Sequence, residues 1–237
     1  MAPGAWSVVL GRDISTNYKG QRTKDERRTT KNVSLFPVFL KLTDRACLVV
    51  GAGDVGEGKV RSLLPTGASL RVIAHHATPA VVKWAESGRI AWEARGFTPA
   101  DLEGVFLVIA ATSSVEVNDL VFREAQQRGV LCNAVDDPAR CDFYYPAVIR
   151  RGSLQIAIST GGQSPALAQR LRRELENQFG PEYAGWVEHL GEARKQLLAQ
   201  EMDHDHRRRL LHGQAGRAAF ERFVRGLRLE TRREDLR

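Results

Sequence analysis

Three glycines spaced G-x-G-x-x-G, at Gly51, Gly53 and Gly56, break the run Cys47-Leu48-Val49-Val50-Gly51-Ala52-Gly53-Asp54-Val55-Gly56. Residues of these types at this spacing hold phosphate. Without a Cβ, Gly51 can enter a turn closed to other residues, Gly53 lets backbone approach a pyrophosphate, and Gly56 lets the next helix pack close on the strand. That helix points its free N–H groups and positive dipole end at the phosphates. The motif follows a β-rich apolar run and leads into helical spacing at Lys59-Val60-Arg61-Ser62-Leu63-Leu64, the context a dinucleotide cradle needs. The competing reading is a glycine-rich strand-to-helix corner that binds nothing. Cofactor contacts are assigned to Gly51, Gly53, Asp54 and Val55, and to His75, His76 and Thr112 at the ends of later strands.

The elements that must position these residues alternate between strand-like and helical patterns, the signature of βαβ units and a parallel sheet. The pattern predicts a first strand at 47–50 and a helix from about 55 to 64. A second strand, 69–74, ends at His75-His76, and Thr78-Pro79 reads as an N-cap and first helical residue of a helix ending near Gly88. Short and long strands follow at 90–93 and 105–111, the latter apolar throughout, as buried parallel strands are. Thr112-Ser113-Ser114 caps a helix whose Val117, Leu120, Val121 and Ala125 face the core, and a fifth strand, 130–135, runs into Asp136-Asp137. Ligands in such sheets sit at the carboxyl ends of the strands. The acid that usually ends the second strand and binds ribose is replaced here by histidine, which leaves NAD and NADP both open. Asp54 is a substitute acceptor.

Beyond the fifth strand the pattern changes. Runs at 143–149 and 153–159, separated by Arg150-Arg151-Gly152, read as a hairpin. Thr160-Gly161-Gly162-Gln163-Ser164-Pro165 then leads into a helix capped by Ser164, with Leu167, Leu171 and Leu175 on one face. A hairpin and one helix cannot make a core alone, and a second copy of the chain is the economical partner. From about Glu182 the pattern is helical, with apolar stripes at Trp186, Leu190, Ala193, Leu197 and at Phe220, Phe223, Val224, Leu227. The predicted fold class is α/β: a Rossmann-like parallel-sheet domain (35–143), a small α+β dimerisation domain (144–180) and a helical C-terminal segment (181–237). A basic extension, 1–34, is read as disordered, with an apolar edge segment, 35–40, ahead of the first strand.

Net charge is +7 over 237 residues, but it lies at the ends. Residues 1–34 carry 7 basic and 3 acidic side chains, residues 192–237 carry 12 and 8, and the middle carries 16 and 17. The folded middle therefore lacks the basic surplus of a nucleic-acid footprint. Three cysteines, none in a C-x-x-C pair, argue against a disulfide framework and a zinc site and fit a reducing cytoplasm. No run approaches the length of a membrane span, and the segment 5–10 is too short and lacks the basic leader of a secretory signal. The expectation is a cytoplasmic protein without membrane or nucleic-acid partners and without a metal site.

Three segments together resemble one family. Leu48–Val55 (LVVGAGDV), Cys132–Pro138 (CNAVDDP) followed by Phe143, and Ile158–Pro165 (ISTGGQSP) with Leu167-Ala168 are similar to the precorrin-2 dehydrogenase family, including the corresponding module of bacterial siroheme synthase. The resemblance covers about residues 35–200 and implies NAD-dependent oxidation of precorrin-2 to sirohydrochlorin by an intertwined homodimer. Some members also insert iron, and the sequence leaves that activity open. The family's essential acid falls on Asp136 and its active-site hydroxyl on Thr160. Losing a hydride and a proton requires a proton acceptor, and Asp136 follows a central strand at the cofactor crevice. Asp137-Pro138 reads as the turn. Thr160, Gly161 and Gly162 are assigned to substrate with Asn133 and Arg151, the first three because backbone N–H groups there can meet a carboxylate. Arginine forks suit a substrate with acetate and propionate arms, and Arg150, Arg151, Arg170, Arg172 and Arg173 flank this region. Arg150 departs from the acid frequent there, and Gly56 departs from the family's alanine, a change the loop is expected to tolerate. The alternative is a nucleotide-sensing regulatory domain of the kind that gates potassium transport. It would keep the ribose-binding acid and has no place for STGGQSP.

Overall fold

Cys47, Leu48, Val49, Val50 and Ala52 are at most 2% exposed, and Gly51 among them is buried, because their strand lies in the middle of a sheet covered on both faces. The computed structural model describes residues 35–234; the basic extension expected at 1–34 lies outside them. Five parallel strands, β1 (Ala46–Ala52), β2 (Ser69–Ala77), β3 (Ala91–Glu93), β4 (Leu107–Ala110) and β5 (Leu131–Ala134), stand in the order β3-β2-β1-β4-β5. This is the Rossmann order, with its crevice where the order reverses between β1 and β4. Successive residues of a strand point to opposite faces. Cys47, Val49, Val72, Leu107 and Ile109 accordingly pack against Val60 and Leu63 of α1 (Asp54–Leu63) and Val81 of α2 (Pro79–Glu86). Leu48, Val50, Ile73, Val108 and Ala110 meet Val121 and Ala125 of α3 (Val115–Arg128) on the other face.

The helices start where the side chains predict. Thr78 and Ser114 accept from the N–H groups of Val81 and Val117, and Gly129, in the left-handed region, ends α3. In this sheet, strand ends shift by one to three residues from those expected, most of all in β2. β2 runs on through His75 and His76 to Ala77 instead of stopping at Ala74, because the turn after β1 is extended long enough to offer it a partner: Ala52 pairs with Ala77 and accepts from Thr78 N–H at 3.0 Å.

The hairpin forms as β6 (Ala147–Arg151) and β7 (Leu154–Ile158), antiparallel with Ala147 opposite Ile158, and Arg150 and Arg151, expected between the strands, pair within it opposite Gln155 and Leu154. α4 (Pro165–Gln178) packs on it, capped by Ser164, whose hydroxyl accepts from Leu167 N–H. The three helices α5 (Tyr183–Leu198), α6 (His204–Gln214) and α7 (Arg217–Glu234) follow. The two expected apolar stripes meet: Trp186 of α5 lies 5.2 Å from Phe223 and 5.7 Å from Phe220 between ring centroids. The apolar segment ahead of β1 forms no strand, and Phe36 and Phe39 are 85% and 68% exposed.

Candidate active site

The glycine loop splits into two crowded positions and one open one. Gly51 has φ +103°, and a Cβ there would lie 2.4 Å from the carbonyl oxygen of Ala111. At Gly56 a Cβ would come within 2.1 Å of the Gly51 oxygen, so the glycine that stands here in place of alanine suits this loop. Gly53 is the reverse: a Cβ would meet nothing within 4 Å, and as N-cap of α1 it supplies no side-chain acceptor. The first N–H groups of α1 have no intrahelical partner. Open approach, unfilled donors and a positive helix end are what a dinucleotide pyrophosphate requires, so these residues fit one. Asp54 and Val55, the first residues of α1, are exposed beside it.

The neighbouring strand ends stand level with this loop, since Ala111 N–H donates to Val50 and Val135 N–H to Ala110. Thr112, just past β4, is clamped by a residue the sequence reading missed. Asn118 Oδ1 accepts from the Thr112 hydroxyl at 2.7 Å and from its N–H at 3.2 Å, and Asn118 Nδ2 donates back to the Thr112 carbonyl at 3.0 Å. A polar residue one turn after the Ser114 cap was the available signal. His75 and His76 are both exposed, but as consecutive strand residues they point to opposite faces, so they do not flank a cofactor as a pair. The His75 ring lies across Gly96. Arg95 supports Gly96 there, donating to its carbonyl at 3.0 Å and in a fork to Asp101 at 2.8 and 2.6 Å. That fork, with the Thr98 N–H and hydroxyl, holds the Asp101 carboxyl down at about 2.

Asp136 follows β5 in the left-handed region, φ +61°, and is exposed. Two anchors, one buried and one exposed, fix its loop. Asn133 is 6% exposed and spends its amide N–H groups on the Phe143 carbonyl at 2.8 Å and the Cys141 Sγ at 3.2 Å. Asp142 accepts from Cys132 N–H at 2.9 Å and from Gln126. Asn133, expected to contact substrate, commits its amide donors inside the protein, where they anchor the loop. Asp137 does serve the turn: its carboxylate accepts from Ala139 N–H at 3.2 Å and pairs with Arg140, which reaches Asp119 at 2.9 Å.

A further residue stands with Asp136 that the sequence offered only as helix spacing. The ammonium of Lys59, on α1, lies 3.7 Å from the centroid of the Tyr145 ring. Burial pushes its pKa down, while the charges of Asp136 and Cys141 push it back up. Tyr145 is 38% exposed, yet burial of its hydroxyl end, beside Ser62 and Cys47, raises the phenol to about 12.

In the second region the Thr160 hydroxyl accepts from Ser164 N–H at 3.0 Å, which folds the loop back on the start of α4. Gly161 and Gly162 take φ +61° and +82°; Gly161 N–H is used by Ser159 Oγ at 3.1 Å, and Gly162 N–H has no acceptor among the described residues. Arg151 turns inward, donating to the carbonyls of Phe179 at 2.8 Å and Glu176 at 3.2 Å at the end of α4. The fork expected to meet substrate is here occupied by orphan helix-end carbonyls. Among the described residues no group of three or more His, Cys, Asp or Glu side chains is placed to hold a metal ion, and no helix is long and apolar enough to cross a membrane.

Comparison with known proteins agrees with this layout. Residues 38–147 match a family profile described as putative NAD(P)-binding, and residues 151–178 one described as the sirohaem biosynthesis protein central region. Siroheme synthase 2 of Serratia proteamaculans is 43% identical over 162 residues, 68% of this chain and 34% of that protein. Siroheme synthase 1 of Aeromonas salmonicida is 45% identical over 151 residues, 64% of this chain and 32% of the relative. The chain thus spans about a third of the length of these curated relatives. A solved structure titled SirC, precorrin-2 dehydrogenase, superposes with a TM-score of 0.69 over 82% of this chain and 99% of its own, at 24% identity, a likeness that bears on fold.

Proposed function

The chain belongs to the precorrin-2 dehydrogenase and siroheme synthase family, through the third of the siroheme synthases that it matches, and from that premise we propose that it oxidises precorrin-2 to sirohydrochlorin with NAD. The observation that carries this reading is an open glycine cradle, Gly53 after β1, at the same carboxyl end of the sheet as an exposed carboxylate, Asp136 after the edge strand β5, with only β4 between them. Gly51, Gly53, Asp54, Val55 and Thr112 hold the dinucleotide, which supplies the hydride acceptor when bound. Asp136 takes the proton that the substrate loses along with the hydride, so that the two hydrogens of the oxidation are both accounted for. Its left-handed backbone, held by Asn133 and Asp142, aims the carboxylate without further reorganisation. Thr160 and the free N–H of Gly162 receive a substrate polar group.

We divide the chain for this task into a cofactor domain at 35–143, a dimerisation and substrate unit at 144–180 and a helical region from 181. Two copies pair through the second unit, which has too little core of its own. Three free thiols suit the cytoplasm as the place of work. The nucleotide-sensing alternative lacks both the acid at the end of β2 and a use for the segment 160–165.

The test is spectroscopic. Purified protein given precorrin-2 and NAD⁺ should produce sirohydrochlorin absorbance with an equivalent of NADH. Asp136→Asn should lower turnover by about 10²-fold or more, the scale of a lost general base, with NAD⁺ binding retained. Wild-type turnover in that variant would remove Asp136 from the mechanism, and no turnover in the parent with either nicotinamide cofactor would remove the reaction.

A further inference from the structure

Lys59 is a cation whose surroundings are incomplete. It sits on the first helix turns behind the cradle, half-buried, and its ammonium rests on the face of Tyr145 at 3.7 Å. Among the described residues it forms no ion pair and no side-chain hydrogen bond, so three N–H donors are unspent while burial strips part of their water. The other acidic side chain early in this helix, Glu57, is occupied by Arg61 and Thr78. Asp136 is the negative group that acts on Lys59 most strongly, yet it stands outside ion-pair distance. A cation–π contact fixes where an ammonium stands without using its hydrogens. What would complete the site is an anion with oxygen acceptors, entering from the side of Asp136.

We propose that Lys59 is a substrate-binding residue that receives a carboxylate arm of the tetrapyrrole and thereby sets which carbon of the macrocycle faces Asp136. This rests on the oxidation proposed above, whose substrate is a polycarboxylate. One carboxylate seated on Lys59 forms charge-assisted hydrogen bonds in a partly dehydrated setting, where they are stronger than in water. The anchor lies on the rigid helix that begins at the cofactor loop, so the arm is registered against the same element that positions the dinucleotide. Tyr145 is a positioning residue in this arrangement: its ring keeps the ammonium from swinging toward solvent.

Steady-state kinetics on the full chain test this with Lys59→Met and Lys59→Arg. Losing one charged hydrogen-bonding partner should raise KM for precorrin-2 by about tenfold or more, with KM for NAD⁺ unchanged, and arginine should restore most of the loss. Tyr145→Leu should raise KM for precorrin-2 in the same direction by a smaller factor. Equilibrium binding of an octacarboxylate porphyrin, followed by its absorbance, gives the same comparison without turnover. Porphyrin binding that weakens in Lys59→Met supports the inference even if the parent shows no turnover, which would overturn the oxidation alone. Turnover with a wild-type KM in Lys59→Met overturns the inference alone, and a parent that neither turns over nor binds the porphyrin overturns both.

Discussion

The parallel sheet and the hairpin unit that follows it are built to different standards of completeness. In the sheet, Leu48, Val49, Val72, Val108, Ile109 and Cys132 are between 0 and 1% exposed, and each face is closed by helices of the same chain. In the hairpin unit only Ile149 and Ala168 are buried, β7 alternates between half-buried and exposed residues, and Leu167 is 38% exposed. One region has finished its core, and the other holds an apolar surface without a cover. The difference teaches that within one chain the region carrying the glycine loop closes its own core while the hairpin unit does not.

The largest effect belongs to the complete region. Gly51→Ala forces a Cβ into the Ala111 carbonyl at a backbone angle that L residues avoid, and should cost about 3 kcal/mol or more with loss of NAD⁺ binding, measured by thermal unfolding and calorimetry. Unchanged unfolding would mean that the sheet domain is less tightly determined than the contrast asserts. Next, Leu167→Glu should weaken self-association by tens of fold, from about 2 kcal/mol of lost burial, in sedimentation at graded concentration, with NAD⁺ affinity intact. If the parent is monomeric at every concentration, the incomplete region must be covered by something other than its own copy. The smallest effect lies at Asp101. Its folded pKa, about 2, is depressed by Arg95, so the stability it contributes is present above the unfolded carboxylate range and is lost as pH falls through about 2. Asp101→Asn should cost about 1–3 kcal/mol at neutral pH and flatten the acid limb of the stability curve between roughly pH 4 and 2.

Sequence carried the complete region well and the incomplete one less well, for a physical reason. Strands buried on both faces must be apolar without interruption, and β1 and β4 announce themselves so. Thr78, Ser114 and Ser164 mark helix starts through local hydrogen bonds that depend on adjacent residues alone. The extra length of β2 was hidden because it depends on how far β1 runs past its turn, a non-local fact. Asn133 and Arg151 were assigned to substrate by residue type, whereas their partners, Phe143 and Phe179, lie 10 and 28 residues away. Lys59 was invisible as a site residue for the same cause: Tyr145 reaches it only after the chain has crossed the whole sheet.

The left-handed backbone at Asp136 has a consequence for descent as well as for chemistry. Aspartate, asparagine and glycine accept that conformation far more readily than branched residues do. A single-base change in an aspartate codon reaches both asparagine and glycine. On the reaction proposed above, mutational drift at this position therefore passes easily into proteins that keep the loop and the sheet but have no proton acceptor. A gene of this kind can fall silent in its reaction while its product persists in the cell as a folded dinucleotide-holding protein, visible to selection only through what else it binds.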